Sequence, residues 1–423
     1  MGYPYWISTV GLCCGLLLTY ISLRRSNFNF TFGHGLIAGY VLKAVQQLKA
    51  RPAGGNDPAT WNFDQFAQTH WDYQSNNHGT PMFFPWHRMF VLQYEKALRS
   101  IDPSITQPYW DWTLDSQHPQ SSDIFHSQNF GGNGQSGNCV QDGVSAGWSS
   151  VIFKPSCLKR CSSFSTFYSP EALTGLINQA LDYKSLHDAI ENGPHASVHN
   201  QVGGTCGDFA SMASAADPIF FLHHAMVDKI WSKWQSACTT NINSFEADPN
   251  SPMPPFNGVV NDVFDTNGLC YSYSSSAGDL ALSVSCPNGK ASNGIPPTID
   301  NHWAEELLQA LIVGADSQRI TFIGKRDVQI EAISAYHPNG YSLNENYTIA
   351  APAFDDLSDL VHLRHPAPIP DYHIKMMHMN ETLVRQTELI AMKITDDYNN
   401  REGYCSPAAL KHFNKHNHLG LYQ

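Results

Sequence analysis

Residues 217–231 combine a dense apolar face with two adjacent histidines. The segment reads Asp-Pro-Ile-Phe-Phe-Leu-His-His-Ala-Met-Val-Asp-Lys-Ile-Trp, and its apolar residues have the spacing of a buried helix. Pro218 is predicted at the helix start, with Asp217 as the N-cap. Burying an imidazole without a partner costs on the order of several kcal/mol. His223 and His224 are therefore expected to face a partner inside the protein.

Hydrophobic periodicity predicts further helices along the chain. Two stretches, 113–168 and 239–300, are rich in small and polar residues and are predicted to be irregular. Cys139, Cys157 and Cys161 are candidates to pin the first of them through disulfides, whose connectivity the spacing does not give. The aromatic segment 109–112 is interpreted as core packing. The predicted helices cover residues 35–50, 61–69, 85–99, 170–182, 187–202, 303–313 and 381–397, and strand-forming sequences lie at 269–273 and 319–334.

Composition narrows the class of protein. Hydrophobic residues make up 42% of the 423 residues and aromatic residues 12%, which is enough for a substantial core. The net charge of −12, with no basic stripe, argues against nucleic-acid binding. The 20 histidines favour a metal site, because imidazole is a common metal ligand.

The N-terminus carries a candidate targeting segment. Residues 4–23 are uncharged and apolar and are followed by Arg24 and Arg25, so residues 1–25 are predicted to be a signal peptide or a single membrane-spanning anchor. The two arginines favour a cytosolic downstream domain. Sequons at Asn29, Asn346 and Asn380 and the eight cysteines after the segment favour secretory entry instead. Secretion or anchorage in the secretory pathway is the preferred expectation, and an incorrect start of the gene is the remaining alternative.

The histidines that can carry chemistry fall into three groups. His195 and His199 are four residues apart, hence on one helix face within reach of one ion. The second group is His70, His78 and His87, and it ends in a Pro-Trp-His-Arg motif. The third is the doublet at 223–224. Three imidazoles without a neighbouring thiolate or carboxylate suit copper better than structural zinc. A lone His-x-x-x-His pair arises often by chance, and only the combination makes the prediction specific.

These motifs resemble the type-3 copper proteins, which comprise tyrosinases, catechol oxidases and haemocyanins, and are most similar to the short secreted fungal tyrosinase group. The resemblance implies a mainly α fold with a four-helix-bundle core at residues 35–275, ending near Tyr271 and Tyr273, and a C-terminal extension at 276–423 that packs on or near it. It implies two copper ions, with dioxygen as co-substrate. The ligands implied are His70, His78 and His87 for the first copper, and His195, His199 and His224 for the second.

The resemblance also assigns residues around the metals. Phe220 matches an aromatic residue that overhangs the second copper, and its alternative reading is ordinary core packing. Glu191 and Asn200 match a pair that holds a water able to accept a phenolic proton, and the alternative places both on a helix surface. His223 is implied to be a neighbour of the ligand and not a ligand itself.

Two departures from the family pattern stand out. Many fungal relatives have a cysteine two residues before the middle ligand of the first copper, joined to that ligand by a thioether. The equivalent residue here is Asn76, so His78 is expected to lack this restraint. The usual lead-in to the first helix is also replaced, and His34 has no assigned role.

The function implied is oxidation of o-diphenols or o-aminophenols to quinones with dioxygen, with ortho-hydroxylation of monophenols as an extension. The expected partner is a small phenolic substrate, and membrane anchorage through residues 4–23 is an open alternative. A haemocyanin-like oxygen carrier would use the same six ligands and would differ by a covered site, which the C-terminal extension could provide. A copper-free remnant with a binding role is disfavoured because all six ligand positions are filled.

Overall fold

The computed structural model describes residues 25–27, 35–238, 244–284, 318–323, 327–332, 362–401, 404–409 and 411. The described part of the chain is mainly helical with long irregular loops. Its helices are α1 (Gly35–Ala50), α2 (Phe63–Asp72), α3 (Gln74–Asn77), α4 (Phe83–Arg99), α5 (Pro170–Gln179), α6 (Tyr183–Ile190), α7 (Ala196–Gly203), α8 (Ile219–Ala237), α9 (Asp371–Met376) and α10 (Glu381–Asn399). The strands are β1 (Arg25–Asn27), β2 (Tyr271–Tyr273), β3 (Gln318–Ile323) and β4 (Asp327–Ala332), paired β1 with β2 in parallel and β3 with β4 antiparallel.

Helices α4 and α8 form the centre of the core. Both are apolar on nearly every face, which is the pattern of a helix enclosed by other elements, and most of their residues are buried. Tyr94 of α4 stacks on Phe221 of α8 with 3.5 Å between ring centroids, and Phe84 stacks on Trp231 at 5.5 Å. These aromatic contacts hold the two helices in a fixed register.

The predicted helices are present where the structure describes them, with shifted ends. Helix α8 begins at Ile219, one residue later than predicted, with Pro218 as its N-cap residue. Asp217 still provides a hydrogen-bond acceptor at the helix start, because its carboxylate accepts the Ile219 N–H at 3.0 Å. Residues 74–77, between the predicted helices 61–69 and 85–99, form the additional short helix α3. The predicted helix 303–313 lies outside the described residues.

The helix predicted over 187–202 begins earlier and contains a π turn. Asp182 caps α6 by accepting the Ser185 N–H at 2.8 Å, so the helix starts at Tyr183. Residues Glu191–His195 form the π turn, with Pro194 inside it, and α7 continues to Gly203. Proline lacks the N–H that a regular helix needs, and an inserted π turn is a common accommodation at functional sites.

The irregular stretch 113–168 is pinned to the helical core. Disulfides join Cys139 to Cys157 and Cys161 to Cys206. Fully buried Arg160 forms a two-pronged ion pair with Asp217, with N–O distances of 2.5 and 2.8 Å. The stretch is thereby fixed at the start of α8. The aromatic segment at 109–112 is buried, as predicted.

The described C-terminal residues pack against the helices that surround the histidines. Helix α10 lies on α5 and on the π turn, and its Ala391 belongs to the main core. The chain before α9 is tied to the loop at residue 166 by two hydrogen bonds, from Thr166 Oγ1 to the His365 carbonyl and from the Ala367 N–H to the Thr166 carbonyl. Lys411 reaches Asp115 at 2.6 Å.

Residues 4–23, the predicted signal or anchor, lie outside the described residues. Within the part that is described, none of the helices has the length and apolar character needed to cross a bilayer.

Candidate metal centre

Two groups of histidines face each other in the core, and each group has its ring nitrogens within 4.8 Å of one another. Four helices and one loop supply them, from α2, the loop after α3, α4, the α6–α7 unit and α8. The first group is His70, His78 and His87, and the second is His195, His199, His223 and His224. The structure therefore brings together all six predicted ligands and places His223 among them.

Backbone carbonyls fix the tautomer of five of these imidazoles. In each, Nδ1 lies within hydrogen-bond distance of a carbonyl, so Nδ1 carries the proton and the Nε2 lone pair is left for another partner. In three of the pairs the carbonyl belongs to the residue four positions earlier in the chain. The pairs are His70 with Met212 (2.9 Å), His78 with Gln74 (3.3 Å), His87 with Phe83 (2.7 Å), His195 with Glu191 (3.1 Å) and His199 with Phe209 (2.8 Å).

The remaining nitrogens have the arrangement that a metal requires. The Nε2 atoms of His70, His87 and His195 are buried and have no hydrogen-bond partner among the described residues. Nε2 of His199 lies 3.3 Å from Nε2 of His224. Unpaired buried nitrogens are costly, and a cation between the rings would satisfy them together. An all-imidazole donor set without thiolate or carboxylate fits copper.

Burial keeps the imidazoles uncharged and ready to bind metal. It lowers the pKa of His70 to about 3 and lowers the pKa values of His87, His195, His199 and His224 well below the usual 6.5. Burial also lowers the pKa of His78, and the charge of Glu191 opposes that effect. Because metal ligands must be deprotonated, the site needs no proton release at neutral pH.

Comparison with known proteins places this site in a family. The family model for the common central domain of tyrosinase matches residues 60–237. The tyrosinase ustQ of Aspergillus flavus is 31% identical over 260 residues, which are 51% of this chain and 72% of that protein. A tyrosinase of Streptomyces antibioticus is 31% identical over 49% of this chain and 81% of its own. The chain belongs to the tyrosinase family.

Proteins of the tyrosinase family hold two copper ions and use dioxygen, and the two histidine groups supply donors for such a pair. The chain spans 57% of the length of another relative, the tyrosinase-like protein phomQ1 of Diaporthe leptostromiformis, at 34% identity over 46% of this chain. Among solved structures, a mutant polyphenol oxidase from Thermothelomyces thermophila has a TM-score of 0.48 at 23% identity, covering 60% of this chain and 89% of that one.

In this tyrosinase-family protein the histidine doublet is asymmetric. The His224 ring stacks on His87 of the first group with centroids 4.3 Å apart, so it faces the space between the two groups. The His223 ring contacts the second group alone, stacking on His195 at 5.4 Å, and lies near Trp112. This geometry supports His224, and not His223, as the ligand of the doublet, although both rings are equally buried.

Phe220 lies among the imidazoles of both groups. Its ring is 4.1 Å from that of His224 and 4.8 Å from that of His70, and it is fully buried. The position excludes water from the inner side of the site. The imidazole rings of both groups therefore pack against an apolar side chain.

Glu191 and Asn200 are both buried, so the reading that placed them on a helix surface does not hold. The two Glu191 oxygens already have partners. Oε1 accepts the Gly79 N–H at 2.8 Å, and Oε2 lies 2.6 Å from His187 Nε2. The Asn200 side-chain oxygen accepts a hydrogen bond from the Tyr372 hydroxyl at 3.2 Å.

An ionic network behind the ligands was not predicted from the sequence. Arg88, which follows a first-group histidine, lies 2.5 Å from Asp228 on α8. The hydroxyls of Tyr271 and Tyr273 both donate to the other Asp228 oxygen, at 2.5 and 2.6 Å. The closing strand β2 thus locks α4 against α8. The signal available in the sequence was the presence of Arg88 and Asp228 in two largely apolar helices, since buried charges require partners.

Proposed function

We propose that this protein oxidises an o-diphenol or o-aminophenol to the corresponding quinone or quinone imine with dioxygen. Each substrate molecule loses two electrons and two protons, so one dioxygen is reduced to two waters for every two substrate molecules. The proposal is carried by the two facing groups of uncharged imidazoles, five of them with a fixed tautomer, in a chain of the tyrosinase family. A copper pair held there would supply dioxygen binding and the acceptor for the substrate electrons.

The residues of the chain give the site a rigid, dry interior. The Nδ1–carbonyl bonds fix five rings, which limits the reorganisation of the ligands during turnover. Phe220 and Phe90 pack edge to face at 5.8 Å on the inner side. Water is thereby kept away from the face opposite the substrate.

Exposure indicates the side from which a substrate would approach. Phe220 and His224 are 0% exposed, whereas Glu191 and Asn200 retain 7% and 6%. His78 is half-buried and is the most exposed of the six predicted ligands. The phenol is therefore proposed to enter between His78 and α7, where Asn200 lies beside the ligand His199.

Hydroxylation of a monophenol is part of the proposal and would depend on a group that accepts the phenolic proton. Glu191 and Asn200 stand on the proposed entry side. A carboxylate has about four acceptor positions on its two oxygens, so Glu191 can accept from a water while it holds Gly79 and His187. Asn200 would orient that water through its amide.

Entry into the secretory pathway is the proposed localisation. The disulfides Cys139–Cys157 and Cys161–Cys206 support it, because such bonds persist in oxidising compartments. The sequon residue Asn380 is exposed at the start of α10. Digestion of the purified protein with a glycosidase, followed by mass measurement, tests this placement. An unglycosylated protein with free thiols contradicts it.

Oxygen uptake tests the proposed reaction. Copper-loaded protein is given a catechol, an o-aminophenol or tyrosine, with metal-free protein as the control. We expect uptake with the first two at one dioxygen per two substrate molecules. Reversible dioxygen binding without uptake would identify an oxygen carrier and overturn the proposal.

A further inference from the structure

His78 is the least restrained of the six predicted ligands. The other five lie on helices or at the π turn, whereas His78 follows the four-residue helix α3 in extended conformation. Its Nδ1 lies 3.3 Å from its carbonyl partner, the longest of the five such distances. The next residue, Gly79, has φ +63° and open space where a Cβ would lie. Asn76 stands in place of a crosslinking cysteine, and its carbonyl accepts the Thr80 hydroxyl at 2.7 Å without binding the His78 ring.

A second restraint on the loop comes from a distant helix. Tyr183, His187 and Glu191 are spaced four residues apart on α6 and the π turn, hence on one face. The Tyr183 hydroxyl donates to the Pro81 carbonyl at 2.5 Å, and Glu191 accepts the Gly79 N–H at 2.8 Å. Two points in the turn after His78 are therefore held by the same helix face.

His187 holds the Glu191 carboxylate in place. Its Nε2 lies 2.6 Å from Glu191 Oε2, while its ring stacks on Tyr183 at 6.1 Å and packs on Phe83 at 5.7 Å. A buried carboxylate with partners on both oxygens has one preferred position. The same helix face continues to His195, so it joins the two histidine groups.

We propose that Glu191, held by His187, positions His78 by binding the Gly79 N–H, and so takes the place of the missing thioether. Glu191 is then a positioning residue for the first metal site, in addition to any role towards a water. The inference rests on His78 being a copper ligand, as in the proposed function.

Amide hydrogen exchange of Gly79 in the metal-free protein tests the contact directly. Glu191→Leu removes the acceptor, and we expect exchange at Gly79 to rise on the order of tenfold, as for the loss of one hydrogen bond to a charged group. Glu191→Gln retains an acceptor oxygen, and we expect exchange close to that of the unmodified protein. Lys184→Gln is the matched control, because the Lys184 side chain is exposed on the same helix.

Copper retention under a chelator is the second measurement. We expect Glu191→Leu to fall from two coppers per chain towards one under conditions where Glu191→Gln and Lys184→Gln keep both. His187→Phe preserves the ring packing and removes the hydrogen bond to Glu191. This variant replaces Glu191→Leu if the latter does not fold, and we expect it to exchange faster at Gly79. Unchanged Gly79 exchange in the folded variants overturns the proposal, as does equal copper loss in Glu191→Gln and Glu191→Leu. Since neither measurement uses a phenol, the result is independent of the proposed reaction.

Discussion

Gly193, in the π turn, lies directly against Thr387 of the C-terminal helix α10. A Cβ added at Gly193 would lie 2.6 Å from Thr387 Cγ2 and 3.3 Å from the Tyr168 hydroxyl. Carbon atoms in contact prefer about 3.5–4.0 Å, so α10 or the π turn would have to move by roughly 1 Å. Because Gly193 is two residues before His195, that movement would reach a predicted ligand.

The expected cost of Gly193→Ala follows from opposing effects. Overpacking costs about 1–3 kcal/mol, and replacing glycine in a helical segment returns up to about 1 kcal/mol. We expect a net loss of about 1–2 kcal/mol in the free energy of unfolding. Thr387→Ser removes the methyl that clashes and alone costs about 1 kcal/mol. In the double variant the alanine methyl occupies the vacated space, so the two losses should not add.

Urea unfolding of the metal-free variants measures this coupling. We expect the double variant to be more stable than the sum of the single losses by about 1–2 kcal/mol. Gly39→Ala on α1 is the control, since a Cβ there meets no atom within 4 Å, and it should stabilise the protein slightly. Additive losses, or Gly193→Ala as stable as the control, would refute the packing of α10 on the π turn.

Three other predictions address the metal site and its surroundings. His224→Ala should lose the second copper whereas His223→Ala should keep both, by metal analysis; equal losses would contradict the asymmetry of the doublet. Asn200→Leu should reduce oxygen uptake with tyrosine more than with catechol, and equal reductions would remove its role towards the phenolic proton. Burial lowers the pKa of His373 to about 4, so between pH 6.5 and 4 the unfolded chain binds a proton that the folded protein does not, and stability falls as pH falls. Between pH 7 and pH 5, the free energy of unfolding of His373→Phe should fall by about 2 kcal/mol less than that of the unmodified metal-free protein. An equal fall in the two proteins would contradict this prediction.

Short-range patterns account for what the sequence predicted well. The pair His195 and His199 and the doublet at 223–224 lie on helices whose apolar periodicity is visible locally, and helical geometry alone places each pair. The helix predicted over 381–397 is present as α10, because its N-cap Asn380 and its amphipathic pattern are both local features. Within the strand-forming sequence 319–334, the described residues form the antiparallel strands β3 and β4.

Long-range contacts account for what the sequence did not give. The hydrogen bond from Gly79 to Glu191 joins residues 112 positions apart. Neither residue type indicates in the sequence that the other is its partner. The polar residues 74–77 carry no helical periodicity, yet they form α3. The π turn accommodates Pro194 within a helix that the periodicity alone would end or kink there. The packing of α10 against Gly193 likewise depends on tertiary fit.

The copper content of the purified, reconstituted protein is the direct test of a two-copper site. Two groups of uncharged imidazoles supply donors for two metal ions, and the Nε2 atoms of His70, His87 and His195 have no other partner among the described residues. We expect two coppers per chain by metal analysis. One copper per chain, or none after reconstitution, would contradict it.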